Sequence, residues 1–244
     1  MRDLFADDLL ASLYDWFNPW SAGDDFYLEI AHAMGGRVLD LGCGTGMLAC
    51  RLATGGLDVT GVDPAEAMLR VARSRPGGDR VTWVQSAGQD LQLERRFELV
   101  YMTGHAFQAL LTDPEALALL VRVREHLSDA GRLVFETRNP ARKAWRDWAA
   151  DRSGIVETAE YGRVKESCVV FADEAAGLVD LTHHYRFETT GELLTGCTQL
   201  RFRDREQVRN LLIAAGLTPR EWFGDWDRSV LTEASPEIIV FASC

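Results

Sequence analysis

Residues 38–46 read Val-Leu-Asp-Leu-Gly-Cys-Gly-Thr-Gly, and residues 47–54 after them are good helix formers. A short apolar run that ends at Gly42 and precedes a helical segment predicts a strand, a tight loop and a helix. The glycines at 42, 44 and 46 permit unusual backbone dihedrals and let a ligand approach bare backbone. The N–H groups that begin the next helix favour a carboxylate or a phosphate. The stretch therefore predicts a ligand-binding loop at the edge of a parallel sheet.

This alternation of strand and helix continues along the first 140 residues. Further strands are predicted at 57–62, 80–85, 97–102 and 131–137, and further helices at 64–73 and 115–127. Pro64 suits the first position of its helix, where a missing N–H costs nothing. Strands that alternate with helices in this way indicate parallel βαβ units with right-handed crossovers.

The alternation of strands and helices ends after Asn139-Pro140. Stretches rich in Val, Phe, Thr and Tyr predict an antiparallel meander of three strands, at 163–173, 178–188 and 192–203. A helix over 204–215, ended by Gly216, is then followed by two final strands at 218–223 and 237–242. We expect one domain made of residues 1–140 and 204–244, with an inserted antiparallel β subdomain, 141–203, on the substrate side.

Residues 13–27, before the first strand of the sheet, are rich in aromatic side chains. Two interpretations are open: a helix that packs its aromatic side on the core, or an N-terminal lid over the ligand-binding loop. The predicted fold class is α/β, a Rossmann-like doubly wound, mostly parallel seven-stranded sheet with an inserted antiparallel β-meander and an N-terminal helical lid.

Composition excludes several classes of function. The formal charge of -11 disfavours nucleic acid as a partner, because such binding depends on clustered Lys and Arg. The first ten residues lack the pattern of a signal peptide, and no apolar run reaches the length of a membrane span. Five scattered cysteines without a C-x-x-C pair suggest neither disulfides nor a metal site. We expect a cytoplasmic protein with no membrane partner and no metal.

Asp63 is the acidic residue at the end of the second predicted strand, 21 positions after Gly42. A carboxylate placed there can accept hydrogen bonds from the two ribose hydroxyls of an adenosine. A dinucleotide and S-adenosylmethionine (SAM) both contain adenosine. The dinucleotide fingerprint G-x-G-x-x-G requires glycine at position 47, where this chain has Met47. The loop therefore favours SAM.

Residues 40–46, Asp-Leu-Gly-Cys-Gly-Thr-Gly, resemble the first motif of the class I SAM-dependent methyltransferases. Residues 61–69 resemble the second motif of that family, 97–102 its fourth strand and 202–244 its ending. The resemblance implies SAM as cofactor, with the loop backbone at the methionine part and Asp63 at the ribose. The cofactor-binding residues it implies are Asp40, Gly42, Cys43, Gly44, Asp63, Pro64, Met68, Ala87, Gly88, Gln89, Met102 and Thr103.

The sequence departs from the family at the adenine end. Many members have Gly-Asp-Ala after the third strand, and the acidic side chain contacts the adenine amino group. Here the aligned run is Ser86-Ala87-Gly88, so only the Gly88 N–H remains, and Gln89 or Asp90 is a candidate substitute. The loss of one exposed hydrogen bond should weaken binding by only about 1 kcal/mol.

The sequence indicates the residues that bind the methyl acceptor less clearly. His105 follows the fourth strand at the ligand-binding edge of the sheet, so it is either a general base or a histidine that shapes the site. His183 and His184 are adjacent on a strand and must point to opposite faces, either at a substrate pocket or on the surface. The candidate acceptor-pocket residues are Tyr14, Trp20, Tyr27, His105, Phe107, Gln108 and Trp226.

These features predict a monomeric or homodimeric enzyme that transfers a methyl group from SAM to a nitrogen or oxygen of a small molecule, with an amine slightly preferred. SAM already carries an activated methyl group, so a dedicated catalytic residue is not required. Two alternatives stay open: a non-catalytic SAM-binding protein, since fold alone does not fix activity, and a nicotinamide-dependent oxidoreductase.

Overall fold

A computed structural model of the chain describes residues 2–148 and 154–244. The strands are β1 (Arg2–Asp3), β2 (Arg37–Leu41), β3 (Asp58–Asp63), β4 (Thr82–Gln85), β5 (Phe97–Met102), β6 (Leu127–Arg138), β7 (Ile155–Thr158), β8 (Gly162–Asp173), β9 (Leu178–Phe187), β10 (Leu193–Arg201), β11 (Thr218–Phe223) and β12 (Glu237–Ser243). The helices are α1 (Asp8–Phe17), α2 (Ala22–Met34), α3 (Met47–Thr54), α4 (Glu66–Ser74), α5 (Asp113–His126) and α6 (Arg205–Ala214).

The central sheet has seven strands in the order β11-β12-β6-β5-β2-β3-β4. The five strands from β6 to β4 are parallel, whereas β12 runs antiparallel to β6 and β11 antiparallel to β12. The strand order reverses direction at β2, where the ligand-binding loop leaves the sheet, and such switch points are where doubly wound folds bind ligands. The predicted α/β fold class is confirmed.

Helices cover both faces of the central sheet, so successive residues of β2 are buried on opposite sides. Leu39 packs in a cluster with side chains of α5 and α6, such as Leu120 and Leu212. Val38 packs in a second cluster with side chains of α2 and α3. Because both faces are covered, Val38, Leu39 and Leu41 are all buried, as is typical of a parallel strand, and Asp40 is the one acidic residue among them.

The helix boundaries follow from local capping. At α5, the Thr112 side chain accepts a hydrogen bond from the Glu115 N–H, and the Glu115 carboxylate accepts one from the Thr112 N–H. The predicted start of α4 at Pro64 is wrong, because that helix begins at Glu66. The Asp63 carboxylate accepts a hydrogen bond from the Ala65 N–H, which holds residues 63–65 in a turn before the helix.

A second sheet lies beside the first, with the order β1-β10-β9-β8-β7. Its antiparallel core of β8, β9 and β10 is the predicted meander. Two strands escaped prediction because they are short: β7, and β1, which pairs parallel with β10. Helix α1 packs on this sheet, where Leu10 and Leu13 meet Val164, Tyr185 and Leu194. Residues from the N-terminus therefore join the sheet formed by 155–201, and the division into 1–140 with 204–244 and 141–203 stays a prediction.

Across residues 2–148 and 154–244, none of the helices combines the length and the apolar character needed to cross a bilayer. In the same ranges, no group of three or more His, Cys, Asp or Glu side chains is arranged to hold a metal ion.

Candidate active site

The glycine loop between β2 and α3 has left-handed backbone at Gly42, Gly44 and Gly46, with φ of 74°, 52° and 71°. The N–H groups of Gly42 and Cys43 both donate to the Val62 carbonyl at 2.8 and 3.1 Å, which fixes the loop to the end of β3. At Gly46 a Cβ atom would lie 2.4 Å from the ring of Trp83, so only glycine fits. The loop is therefore closed by packing on one side and bare towards the cleft on the other.

A cavity of about 280 Å³ opens over this loop. Of the residues predicted to bind the cofactor, Asp40, Gly42, Cys43, Gly44 and Thr103 line it. Lid residues close it from above, and they include Tyr14 of α1 and Asp24 of α2. Residues at the carboxyl ends of β5 and β6 form the remaining wall: Gly104, His105, Glu136 and Arg138.

Carboxyl groups dominate the charge of the cavity. Burial raises the pKa of Asp40 to about 8, and the negative charges of Asp63, Asp24 and Glu136 add to that rise against an opposing hydrogen bond from Tyr101. Burial also raises the pKa of Glu136. A group whose pKa is raised by other carboxylates becomes ionised more readily when a cation binds next to it. The cavity is thus electrostatically suited to a positively charged ligand.

Asp63 lies behind the loop, at the end of β3, and does not line the cavity. One carboxylate oxygen accepts the Gly44 N–H at 2.9 Å and the other accepts the Ala65 N–H, also at 2.9 Å. Burial raises the pKa of Asp63, and these two hydrogen bonds oppose the rise. Because each carboxylate oxygen has two lone pairs, both oxygens can accept one further hydrogen bond.

The residues predicted at the adenine end also lie outside the cavity. Pro64 is exposed, whereas Met68 is buried on α4, in a cluster with Ala11 of α1. Ala87, Gly88 and Gln89 form a short turn beyond β4, and a Cβ at Gly88 would lie 2.5 Å from Leu119. Gly88 therefore packs closely against Leu119 of α5, whatever its N–H binds.

His105 stands at the centre of a hydrogen-bonded group of buried residues, which we call the His105 network. Its ring Nε2 lies 3.0 Å from each carboxylate oxygen of Glu237 on β12. Its backbone N–H donates to Glu136 at 2.7 Å, and the hydroxyl of Tyr27 on α2 donates to the same carboxyl group. Burial raises the pKa of Glu237 to about 7, against the opposing charge of Arg138. The network can hold a proton beside the cavity at neutral pH.

The remaining acceptor-pocket candidates lie in three different places. Trp226 lines the cavity with Tyr14 and His105, whereas Trp20 is on the surface, where its ring N–H donates to Asp25 at 2.8 Å. The others lie in the core instead: Tyr27, Phe107 and Gln108.

Each residue of that core group has a packing reason to be buried. The Phe107 ring packs on Phe135 at 4.5 Å, and the Gln108 amide oxygen accepts a hydrogen bond from Arg138 at 2.9 Å. Met102, which was predicted to bind the cofactor, is likewise buried. Its carbonyl accepts a hydrogen bond from the Tyr27 hydroxyl at 3.3 Å.

Glu136, Arg138 and Glu237 were not predicted as site residues. Glu136 had a signal: it is an acidic residue inside the apolar run that becomes β6, and it sits near the carboxyl end of a parallel strand. Buried charges in such a position are rarely there for packing alone. Glu237 carried no comparable signal, because its antiparallel strand places its first residue, not its last, at this edge of the sheet.

A second cavity, of about 460 Å³, lies between α1 and the inner face of the second sheet. It meets the first cavity at four residues that line both: Tyr14, Asn18, Gly104 and Arg138. Its other walls are largely apolar and aromatic, except for the buried pair Glu166 and His183. Burial of His183 rules out the surface position considered for the two adjacent histidines, while His184 on the opposite face is only half-buried.

Comparisons with known proteins agree with this architecture. A family model described as a methyltransferase domain matches residues 38–131. A protein of Geobacillus sp. (strain WCH70) named "Putative methyltransferase" is 36% identical over 213 residues, which is 84% of this chain and 83% of that protein.

Solved structures extend the likeness in fold to almost the whole chain. The CcbJ methyltransferase from Streptomyces caelestis superposes with a TM-score of 0.79 at 23% identity, over 99% of this chain and 98% of that chain. SAM-bound CalS10 from Micromonospora echinaspora, an amino pentose methyltransferase, superposes with a TM-score of 0.68 at 21% identity, over 99% of both chains. The second sheet and the N-terminal helices therefore belong to the shared fold.

Proposed function

The chain belongs to the class I SAM-dependent methyltransferases, and from this premise we propose that it methylates a nitrogen or oxygen of a small molecule, with an amine as the preferred acceptor. The observation that carries the proposal is the acidic cavity over the glycine loop, with the His105 network on its wall. SAM is a sulfonium cation with a second positive charge on its amino group, so its charges complement Asp24, Asp40 and Glu136.

The same carboxylates argue against a nicotinamide dinucleotide. A pyrophosphate placed at the glycine loop would face Asp40 and Glu136, at a position where burial and neighbouring carboxyl groups already disfavour negative charge and raise the pKa of both residues. Met47, which stands where the dinucleotide fingerprint requires glycine, also argues against a dinucleotide. Both observations support a cationic cofactor.

We assign the parts of SAM to residues as follows. The backbone of Gly42 to Gly44 and the start of α3 would hold the methionine carboxylate, since unpaired N–H groups at a helix start favour an anion. Asp40 would bind the amino group, and both oxygens of Asp63 would accept the ribose hydroxyls. The adenine would lie among the residues outside the cavity, which are Pro64, Met68, Ala87, Gly88 and Gln89.

SAM supplies an electrophilic methyl group, so the chain's own tasks are to align the acceptor, exclude water and take up the acceptor's proton. His105 is the residue best placed for the last task. Glu237 orients its imidazole and stabilises the charged form, the arrangement found wherever a carboxylate supports a catalytic histidine. Tyr14, Thr103 and Trp226 on the cavity wall would shield the reaction from solvent.

Two observations favour nitrogen over oxygen. The carboxylates of the cavity attract a protonated amine and have no such effect on a neutral alcohol. The structurally similar KedS8 from Streptoalloteichus sp ATCC 53650 is a sugar N-methyltransferase, with a TM-score of 0.71 at 18% identity.

The test is a screen of matched amine and alcohol acceptors with SAM labelled by ¹³C in the methyl group. S-adenosylhomocysteine release would identify the substrates, and NMR of the product would show which atom carries the labelled methyl. We expect turnover with amines and little with the corresponding alcohols. Methylation of carbon would overturn the proposal, and turnover with alcohols alone would overturn the preference for an amine.

A further inference from the structure

The second cavity contains a buried polar atom that the packing leaves unsatisfied. The inward side chains of β9 around it are apolar, and Val179, Leu181, Tyr185 and Phe187 are all buried. His183 interrupts this row, with 2% of its surface exposed. Its Nδ1 lies 2.8 Å from a carboxylate oxygen of Glu166 on β8, while no described residue lies within hydrogen-bond distance of its Nε2.

Glu166 decides which kind of group Nε2 can bind. A neutral imidazole carries its proton on one nitrogen and a lone pair on the other. With Nδ1–H donated to the carboxylate, Nε2 is left as an acceptor that needs a donor. A buried acceptor without a partner costs roughly 1–3 kcal/mol, so the fold retains an atom that lowers its stability unless a ligand satisfies it.

Building on the proposed function, we propose that the second cavity is the acceptor pocket and that His183 selects acceptors with a hydrogen-bond donor at the end remote from the methylated atom. The two cavities are adjacent, because Tyr14, Gly104 and Arg138 line both, so a molecule bound in the second cavity would lie next to the cofactor cavity. The aromatic walls, among them Phe17 and Tyr185 with ring centroids 5.4 Å apart, favour an apolar body.

The acceptor class is therefore amphipathic: a nucleophilic amine, an apolar or aromatic middle, and a remote hydroxyl or ammonium group. A carboxylate at the remote end would bind poorly for two reasons. It offers Nε2 no donor, and it would approach the negative charge of Glu166. A site built to bind a donor discriminates strongly against analogues that lack one, because its own polar atom is then left unpaired.

Three probes that differ at one end test this selection by calorimetry on the protein loaded with S-adenosylhomocysteine. They are tyramine, with a hydroxyl, 4-methylphenethylamine, with a methyl, and 4-(2-aminoethyl)benzoate, with a carboxylate. Tyramine should bind about tenfold more tightly than the methyl analogue, equivalent to about 1.4 kcal/mol. The carboxylate should bind weakest. Equal affinities, a preference for the carboxylate, or no binding of any probe would overturn the inference.

Two variants assign the preference to His183. His183→Asn removes Nε2 but keeps a side-chain donor for Glu166, and it should abolish the preference for tyramine. The same change one residue along, His184→Asn, acts on the opposite face, where His184 bonds Thr195 at 3.0 Å, and should leave the preference intact. An unchanged preference in His183→Asn would contradict the assignment.

Two further measurements separate the possible causes of failure. Should His183→Asn not fold, ¹⁵N NMR of the histidine rings in the unaltered protein replaces it. Nε2 of His183 should be unprotonated and should shift with tyramine but not with the methyl analogue, and an absent shift would refute the contact. Parallel titration of SAM shows whether the cofactor site is intact, so an acceptor pocket that fails beside normal SAM binding leaves the proposed function standing.

Discussion

Replacement of Asp63 by asparagine tests the cofactor assignment with the smallest change in shape. The carboxylate uses one oxygen for the Gly44 N–H and the other for the Ala65 N–H. Asparagine keeps one oxygen and replaces the other with an NH₂ group, which cannot accept. Whichever way the amide turns, one backbone N–H and one ribose hydroxyl lose their acceptor.

The expected loss follows from these contacts. A hydrogen bond to a charged group contributes about 1.5–3 kcal/mol, and one such bond to SAM is removed, so SAM should bind roughly 10- to 150-fold more weakly. The abandoned backbone N–H is only partly buried, so the free energy of unfolding should fall by about 1 kcal/mol as well. Asp63→Ala, which removes both ribose contacts, should lose more affinity than Asp63→Asn.

Titration calorimetry with SAM and S-adenosylhomocysteine measures the first effect, and urea denaturation the second. Asp58→Asn is the matched control, because Asp58 begins the same strand, is exposed and pairs with Arg95 on the surface. It removes the same charge and should leave SAM affinity unchanged. Should Asp63→Asn unfold at lower urea yet bind SAM as before, the turn would depend on Asp63 and the ribose assignment would be refuted.

Three further changes probe the site and its supports. Because the pKa of Glu237 is about 7, kcat should rise as the pH rises through 7 and the Glu237 carboxylate forms. Glu237→Gln should lower kcat by about 10²-fold and should remove this inflection from the pH profile. An inflection that persists in the variant would exclude Glu237 as its source. Tyr27→Phe removes a hydrogen bond to a buried carboxyl group, so the free energy of unfolding in urea should drop by about 1–3 kcal/mol, and no change would contradict the contact. Gly46→Ala adds a clash with Trp83 to left-handed strain, so it should destabilise the protein by about 1–3 kcal/mol more than Gly191→Ala, where φ is 74° and no atom lies near the added Cβ; equal losses would argue against the clash.

The parallel half of the fold was predictable because its central strands, such as β2 and β5, are mostly apolar runs bounded by turn residues. The strand at 37–41 and the helix at 47–54 lie where the sequence predicts them, and β5 matches residue for residue. Burial on both faces leaves this signature in the sequence itself. The start of α4 was missed because Pro64 favours a helix that begins at position 64. In the structure the Asp63 carboxylate accepts a hydrogen bond from the Ala65 N–H, and this turn delays the helix to Glu66.

The site was predictable on the cofactor side and much less so on the acceptor side. Loop residues such as Gly42 and Gly44 are close together in sequence, so one motif reveals them. The His105 network joins residues 27, 105, 136 and 237, and the second cavity joins 4, 17 and 183. Such contacts arise only when distant elements pack, and no local pattern encodes them. Closeness in sequence is also no guarantee of a place in the site: Phe107 is two residues from His105, yet its ring packs on Phe135 in the core.

The two buried carboxylates at the edge of the sheet find a common explanation in His105. This residue has φ of 63°, a left-handed conformation that costs a non-glycine residue about 1–2 kcal/mol. The turn directs its N–H at Glu136 and its ring at Glu237, so each carboxylate holds a different part of the same residue. Neither carboxylate would be stable there without a donor, and His105 would relax without them. The strain is therefore retained because it keeps the imidazole on the wall of the cavity over the glycine loop, next to Gly104, which lines both cavities.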